Sequence, residues 1–478
     1  MNIPKKVSQW RFILFTSLLV LAPLSKYPSL STPLYNFSSF RIGLYQLLAI
    51  IFIVLCIKPI YKSGLSFFKS SHPIAFYSVI TIVFLIFLGL IRAIYPERSL
   101  LMAGSFLVLL LVLIAAWWFS AHEFSKNRQS IVLKGMLYAS VIYGVVALVQ
   151  LIIFTLTNQT LGILCPGCAA EVFGFPRING FSAEPQFFAN AMIPFVFAGL
   201  YSVIKKSNPL GWISLISSIF TIGLTFSRGA YIAIASTIFF IGIALLIRKH
   251  ITFKKLLAIY FVTFIAIILS LGTLILMATI RYNDSPNISY ETLDSITEHL
   301  TLGVINLPES RLPDTDNQNQ MQQAAPEESF VSPGLIESSN QERTSAAQLA
   351  LKAWASTIIT SLAGVGLGNL GPYVVNNIDI SAPENLTVYI FYVLFLAELG
   401  IFGLVALLLI FGSAIVSLIK ANSLEASMMN GRLVAFAVQF LFFGSYINVV
   451  YIWLWVGIAL GATSVVSASK TKKRYTKD

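Results

Sequence analysis

A few ionisable residues interrupt long hydrocarbon runs in this chain. The segment from Arg177 to Pro185, RINGFSAEP, holds a cation and the carboxylate of Glu184 seven residues apart. Arg228 stands in LTFSRGAYIAI between two apolar runs. A third set follows a long polar stretch: Arg343 and Lys352, then Glu384, Asn385 and Glu398. A guanidinium offers a planar fork of donors suited to phosphate oxygens, so Arg228 facing an internal cavity would grip an anion, and a folded-back loop would carry Arg177 to the same group. Each residue also has a plainer reading. Arg228 could snorkel to lipid phosphate, Arg177 and Arg343 could be ordinary loop cations, and Glu184 before Pro185 fits the positive end of a helix. Glu398 is harder to dismiss, because a carboxylate inside a bilayer is costly and normally faces a cavity or a partner.

The elements that must position these groups are membrane helices. At 478 residues, 56% apolar and 11% charged with 37 Phe, the composition lies outside that of soluble domains. The apolar residues fall in runs long enough to cross about 30 Å of hydrocarbon. Twelve candidate spans have cores at 11–24, 42–58, 73–92, 101–120, 134–157, 186–203, 211–225, 229–247, 254–279, 400–419, 432–447 and 449–467. The first follows Lys5, Lys6 and Arg11 but lacks a small-x-small cleavage site, so it reads as an uncleaved span. With both termini on the inner side, 22 of the 32 basic residues lie inside and 10 outside, as the positive-inside rule requires.

The expected organisation is a nine-span bundle over 1–279 with an outer loop at 158–185, a large outward segment over 280–399, three spans over 400–469 and a basic tail over 470–478. Within the outward segment, 309–345 is polar and of low regularity. TSAAQLALKAWASTIIT, residues 344–360, spaces Leu349, Ala350, Ala353, Trp354 and Ile358 as one apolar helical face. Gly364, Gly366, Gly368 and Gly371 then form a flexible or closely packed turn. The apolar run from Asn385 to Lys420 is too long for one straight crossing, which predicts a break near Glu398 and Gly400.

Other chemistries find little support. The net charge of +12 resolves into scattered inner loops and the tail KTKKR, whose natural counterpart is anionic lipid rather than nucleic acid. No zinc-finger spacing, Walker A segment or aromatic-basic platform occurs, and GVGLGN at 364–369 has Asn369 where a dinucleotide fingerprint needs its third glycine. Cys165 and Cys168, in CPGC on the outer side, suit a small structural disulfide or an inert pair better than a redox centre. No metal cluster and no cofactor is expected.

GFSAEPQFFAN at 180–190, TFSRG at 225–229, the GVGLGN turn after an Arg-led helix, and ELGIFG at 398–403 stand in this order. In them, and in the placement of the large outward loop before the last three spans, the chain resembles the O-antigen ligase and polymerase family of bacterial membrane glycosyltransferases. The resemblance implies an all-α polytopic fold of the GT-C-like helical kind in the bacterial inner membrane, with its active face periplasmic. Its implied donor is a glycan on undecaprenyl diphosphate, its acceptor a second glycan or lipid A core, and its partners other polysaccharide assembly proteins. Arg228, Arg177 and Arg343 would bind the diphosphate, with Glu184, Asn385, Glu398, Gly364 and Gly366 in support. Ligases of the family carry a histidine before an Asn in the segment entering the late span. Here it reads SAPENLTVY, with Glu384 in that place, which favours a polymerase of O-antigen or exopolysaccharide and makes Glu384 the candidate base, provided its position is partly buried. Two other classes fit the residues less well: a transporter of lipid-linked sugar or an organic anion, for which no inverted repeat is evident, and a non-catalytic assembly partner.

Overall fold

The computed structural model describes residues 5–25, 29–32, 40–157, 159, 171–172, 175–182, 184–206, 208–282, 335–444 and 449–475. Helix α1 covers Lys5–Val20, and a short 3-10 turn at Ala22–Leu24 follows it. Two antiparallel hairpins, β1 (Ser29–Thr32) with β2 (Phe40–Gly43) and β3 (Glu171–Val172) with β4 (Phe175–Pro176), are the strands found among these residues. The rest is helical: α2 Leu44–Ser71, α3 Pro73–Ile91, α4 Pro96–His122, α5 Lys126–Thr157, α6 Pro185–Lys206, α7 Pro209–Leu224, α8 Arg228–Ile247 and α9 Phe253–Tyr282. After the long segment come α10 Leu335–Ala355, α11 Ile358–Ala363, α12 Leu370–Asn377, α13 Phe391–Ala421, α14 Leu424–Gln439 and α15 Val450–Tyr475.

Eight of these helices, α2 to α6, α8, α9 and α13, are long and apolar enough to cross a membrane, and α7 and Val450–Ser464 of α15 are apolar but shorter. The protein is a multi-pass α-helical membrane protein. The twelve expected segments each meet a helix, with one displacement. The eleventh, expected over 432–447, runs from Leu424 to Gln439; it starts early because Ser423 caps it, its hydroxyl accepting from the Ala426 N–H at 3.1 Å.

Packing separates central from peripheral helices. In α6, 94% of the most apolar window is buried, against 22% in α9, although α9 is the more hydrophobic of the two. Ala189, Ala191, Ala198, Gly199 and Ser202 explain this, since small residues let neighbouring backbones approach. The same device joins α4 to α15. A Cβ on Gly457 would lie 2.3 Å from the Leu113 carbonyl oxygen, and one on Gly461 2.4 Å from that of Trp117. Across the seam the Trp117 indole donates to Ser464 Oγ at 3.2 Å and Ser120 Oγ donates to the Ile458 carbonyl at 3.0 Å.

The bundle has two chemically distinct ends. One carries compensated charges: Arg11 pairs with Glu123, to which Arg128 also reaches at 3.5 Å, and Lys205 pairs with Glu425 at 3.1 Å. The other end gathers residues 177–182 and Glu184, the 225–227 turn and α10 to α12.

Two expectations about the later helices are revised. The face proposed for 344–360 stops at Ala355, where Thr357 caps a new short helix, so Ile358 leaves that face and is 73% exposed. Ala350 and Ala353 are fully buried as expected. The long run ending at Lys420 does break: Gly400 has φ 68° and ψ −174° inside α13.

Candidate anion site

Segment 177–182 is docked rather than loose. Helix α7 ends at Leu224 with carbonyls that no further turn can satisfy, and the segment uses them. Arg177 Nε donates to the Thr225 carbonyl at 3.1 Å, and the Ile178 N–H donates to that of Leu224 at 3.2 Å. Gln150 Nε2 donates to the Gly180 carbonyl at 2.8 Å, and Ser182 Oγ to that of Pro23 at 2.9 Å. Glu184 opens α6: its carbonyl accepts from the N–H of Phe187 and Phe188, and its carboxylate accepts from Gln186 Nε2 at 2.7 Å.

Residues 225–227 turn the chain from α7 into α8 in three residues, with Phe226 in the left-handed region at φ 53°. So short a turn fixes Arg228 as the first residue of α8. Arg343 approaches on α10, its guanidinium 5.0 Å from the Tyr389 ring centroid, a cation–π arrangement.

These three arginines lie within electrostatic reach of one another. Arg177 is pushed down to about 10, chiefly by burial; Glu184 and Tyr231 favour its charged form, while Arg343 and Arg228 oppose it. Arg343 likewise repels Arg228. Arg228 Nη1 is buried and has no hydrogen-bond partner among the described residues. The placement differs from simple snorkelling, in which the cation would reach outward to water.

Glu384, Asn385, Glu398, Gly364 and Gly366 form a second group. The break at Gly400 frees the carbonyls that a continuous helix would use. The Val365 N–H donates to Ala397 and that of Gly366 to the Glu398 carbonyl, both at 2.9 Å, and the Gly368 N–H donates to Glu398 Oε1 at 2.8 Å. Glu398, 4% exposed, is therefore an acceptor for the glycine turn. Gly364 has φ 74°, and a Cβ there would lie 2.2 Å from the Glu398 carbonyl, so a side chain is excluded twice over.

Arg92 and Arg98, two of the ten basic residues on the expected outer side, hold this group together. Arg92 Nη1 donates to the Gly364 carbonyl at 3.2 Å. Arg98 Nη1 donates to the Glu384 carbonyl and to Asn385 Oδ1, each at 3.1 Å. Spacing could not have singled them out, because their partners lie 272 to 287 residues away. Glu384 itself is exposed, with Tyr95 Oη 3.5 Å from its Oε1. It lacks the burial on which its role as a base was conditioned.

The pair Cys165 and Cys168 lies outside the described residues. Among the described residues no three His, Cys, Asp or Glu side chains are grouped to hold a metal ion. The arrangement brings the guanidinium groups of Arg177, Arg228 and Arg343 to one region, where each of the first two feels the charge of Arg343. Neither a known family model nor a curated protein sequence matches this chain.

Proposed function

We propose that this protein transfers or polymerises oligosaccharide repeat units carried on undecaprenyl diphosphate, at the periplasmic face of a bacterial inner membrane. The observation that carries this reading is the cluster of Arg177, Arg228 and Arg343. Arg343 and Arg228 repel Arg177, Arg343 repels Arg228, and among the described residues Glu184 is the carboxylate that attracts Arg177. Such an arrangement costs free energy until a multiply charged anion arrives, and a diphosphate fits that demand.

In this proposal the acceptor hydroxyl oxygen bonds to the anomeric carbon while the bond from that carbon to the diphosphate oxygen breaks. The electron pair leaves with undecaprenyl diphosphate, whose developing charge the arginines stabilise. The hydroxyl proton is released to solvent water, since Glu384 is too exposed to meet the condition set for it as a base, and a single displacement inverts the anomeric centre. A glutamate in place of the ligases' histidine favours polymerisation over transfer to lipid A core. The twelve-span topology, with both termini cytoplasmic and a GT-C-like arrangement, belongs to the same reading.

Arg228→Ala at normal protein abundance tests it in cells making the polymer. Accumulation of a lipid-linked single repeat unit is expected. Wild-type polymer in that variant would remove Arg228 from the mechanism.

A further inference from the structure

We propose that Gln439 binds a sugar hydroxyl beside the arginine cluster, an assignment that rests on the diphosphate reading above. Gln439 is the last residue of α14 and is completely buried. Neither its Oε1 nor its Nε2 has a hydrogen-bond partner among the described residues. Its Oε1 lies 3.2 Å from where a Cβ on Gly229 would stand, and Gly229 directly follows Arg228. The carboxamide of Gln439 therefore stands against the first turn of α8, one residue along from Arg228, whose Nη1 is likewise without a partner among the described residues.

Both halves of the carboxamide being unpaired selects among ligands. A buried polar group without a partner is destabilising, so a fitting ligand must satisfy both. A phosphate oxygen at neutral pH only accepts, which would serve Nε2 and leave Oε1 facing negative charge. A hydroxyl accepts and donates, and serves both. The chemistry that places hydroxyls next to an anion held by arginines is a sugar linked to a diphosphate.

Asn190 supplies a second carboxamide at the same level. It too is completely buried, with Oδ1 and Nδ2 both unpartnered among the described residues. Helices α6 and α14 run antiparallel, in a register set by Gly431 against Phe197 and by Phe443 against Phe187, whose ring centroids are 4.6 Å apart. That register places Asn190 opposite the end of α14.

The test uses the purified full chain in detergent and two probes, farnesyl diphosphate and the same molecule with one N-acetylglucosamine on its terminal phosphate. Titration calorimetry of the wild type is expected to show about tenfold tighter binding of the sugar-bearing probe. Gln439→Met should abolish that preference while leaving affinity for farnesyl diphosphate within about twofold, and Arg228→Ala should weaken both probes. A preference retained in Gln439→Met, or absent from the wild type, overturns the assignment to Gln439. Equal binding of farnesyl diphosphate by wild type and Arg228→Ala instead overturns the diphosphate reading itself. Melting of the unliganded proteins guards against misfolding: Gln439→Met should melt no lower than wild type, because an unpartnered carboxamide gives way to an apolar chain of similar length. A clearly lower melting temperature would make Gln439 a structural residue and also overturn the assignment.

Discussion

Replacing Arg177 by Met should stabilise the protein when no anion is bound. Burial first, then Arg343 and Arg228, hold its guanidinium at about 10, against an ordinary value of roughly 12.5. At about 1.36 kcal/mol per pH unit, keeping it charged in the folded state costs roughly 3 kcal/mol. The variant also loses the 3.1 Å bond from Nε to the Thr225 carbonyl, worth about 1.5 kcal/mol or somewhat more for a charged donor. The net gain is about 1–2 kcal/mol, or roughly 2 °C in melting temperature for a chain of this length. The pH dependence follows from the sign of the shift. A base with a depressed folded pKa is protonated in both states below about pH 10, so the penalty is constant there. Above it the folded chain releases its proton before the unfolded chain does, and wild-type stability rises toward that of the variant. The gap between the two proteins should therefore be flat from about pH 6 to 9. The assay is thermal unfolding in detergent at low ionic strength, with and without inorganic pyrophosphate. Pyrophosphate should raise the wild-type melting temperature more than that of Arg177→Met, because only the wild type brings all three cations to it. A variant that melts several degrees below wild type without ligand would refute the reasoning and make Arg177 a structural clamp on α7.

Three further predictions concern the surroundings of the site. Glu398→Ala should cost about 1–3 kcal/mol by leaving the Gly368 N–H unpaired, whereas Glu398→Gln, which keeps an acceptor oxygen, should cost less; equal melting temperatures for the two variants would contradict the role given to Oε1. Gly457→Leu should separate α4 from α15, with a loss of about 1–3 kcal/mol or more from overpacking against the Leu113 carbonyl; unchanged detergent stability would show that the seam adapts. Glu384→Gln should leave transfer within a few-fold of wild type, because the exposed carboxylate lacks the burial its role as a base required; a loss of about a hundredfold would restore it as the base.

The positions of the long apolar helices were legible in the sequence because hydropathy and helix-breaking residues act locally. The long apolar run ending at Lys420 exceeded one crossing, and Gly400 breaks it as its length required. The tight turn before Arg228 could be read from TFSRG, since no spacer separates the two apolar runs. The start of α14 could not, because it depends on a cap at Ser423 inside a polar stretch that hydropathy scores as loop.

Two features were decided only by tertiary packing. Hydropathy ranks α9 above α6, yet α6 is the central helix: lipid and protein interior are equally apolar, so hydrophobicity cannot tell them apart, and small residues with close backbones can. The sequence by itself named Arg177, Arg228 and Arg343 as cations in search of an anion, but not that they stand within reach of one another, nor that Glu398 serves the glycine turn instead. Those outcomes depend on contacts between residues far apart in the chain. Gln439 and Asn190 carried no signal at all, since an amide in an apolar helix acquires meaning only when its surroundings leave it without a partner.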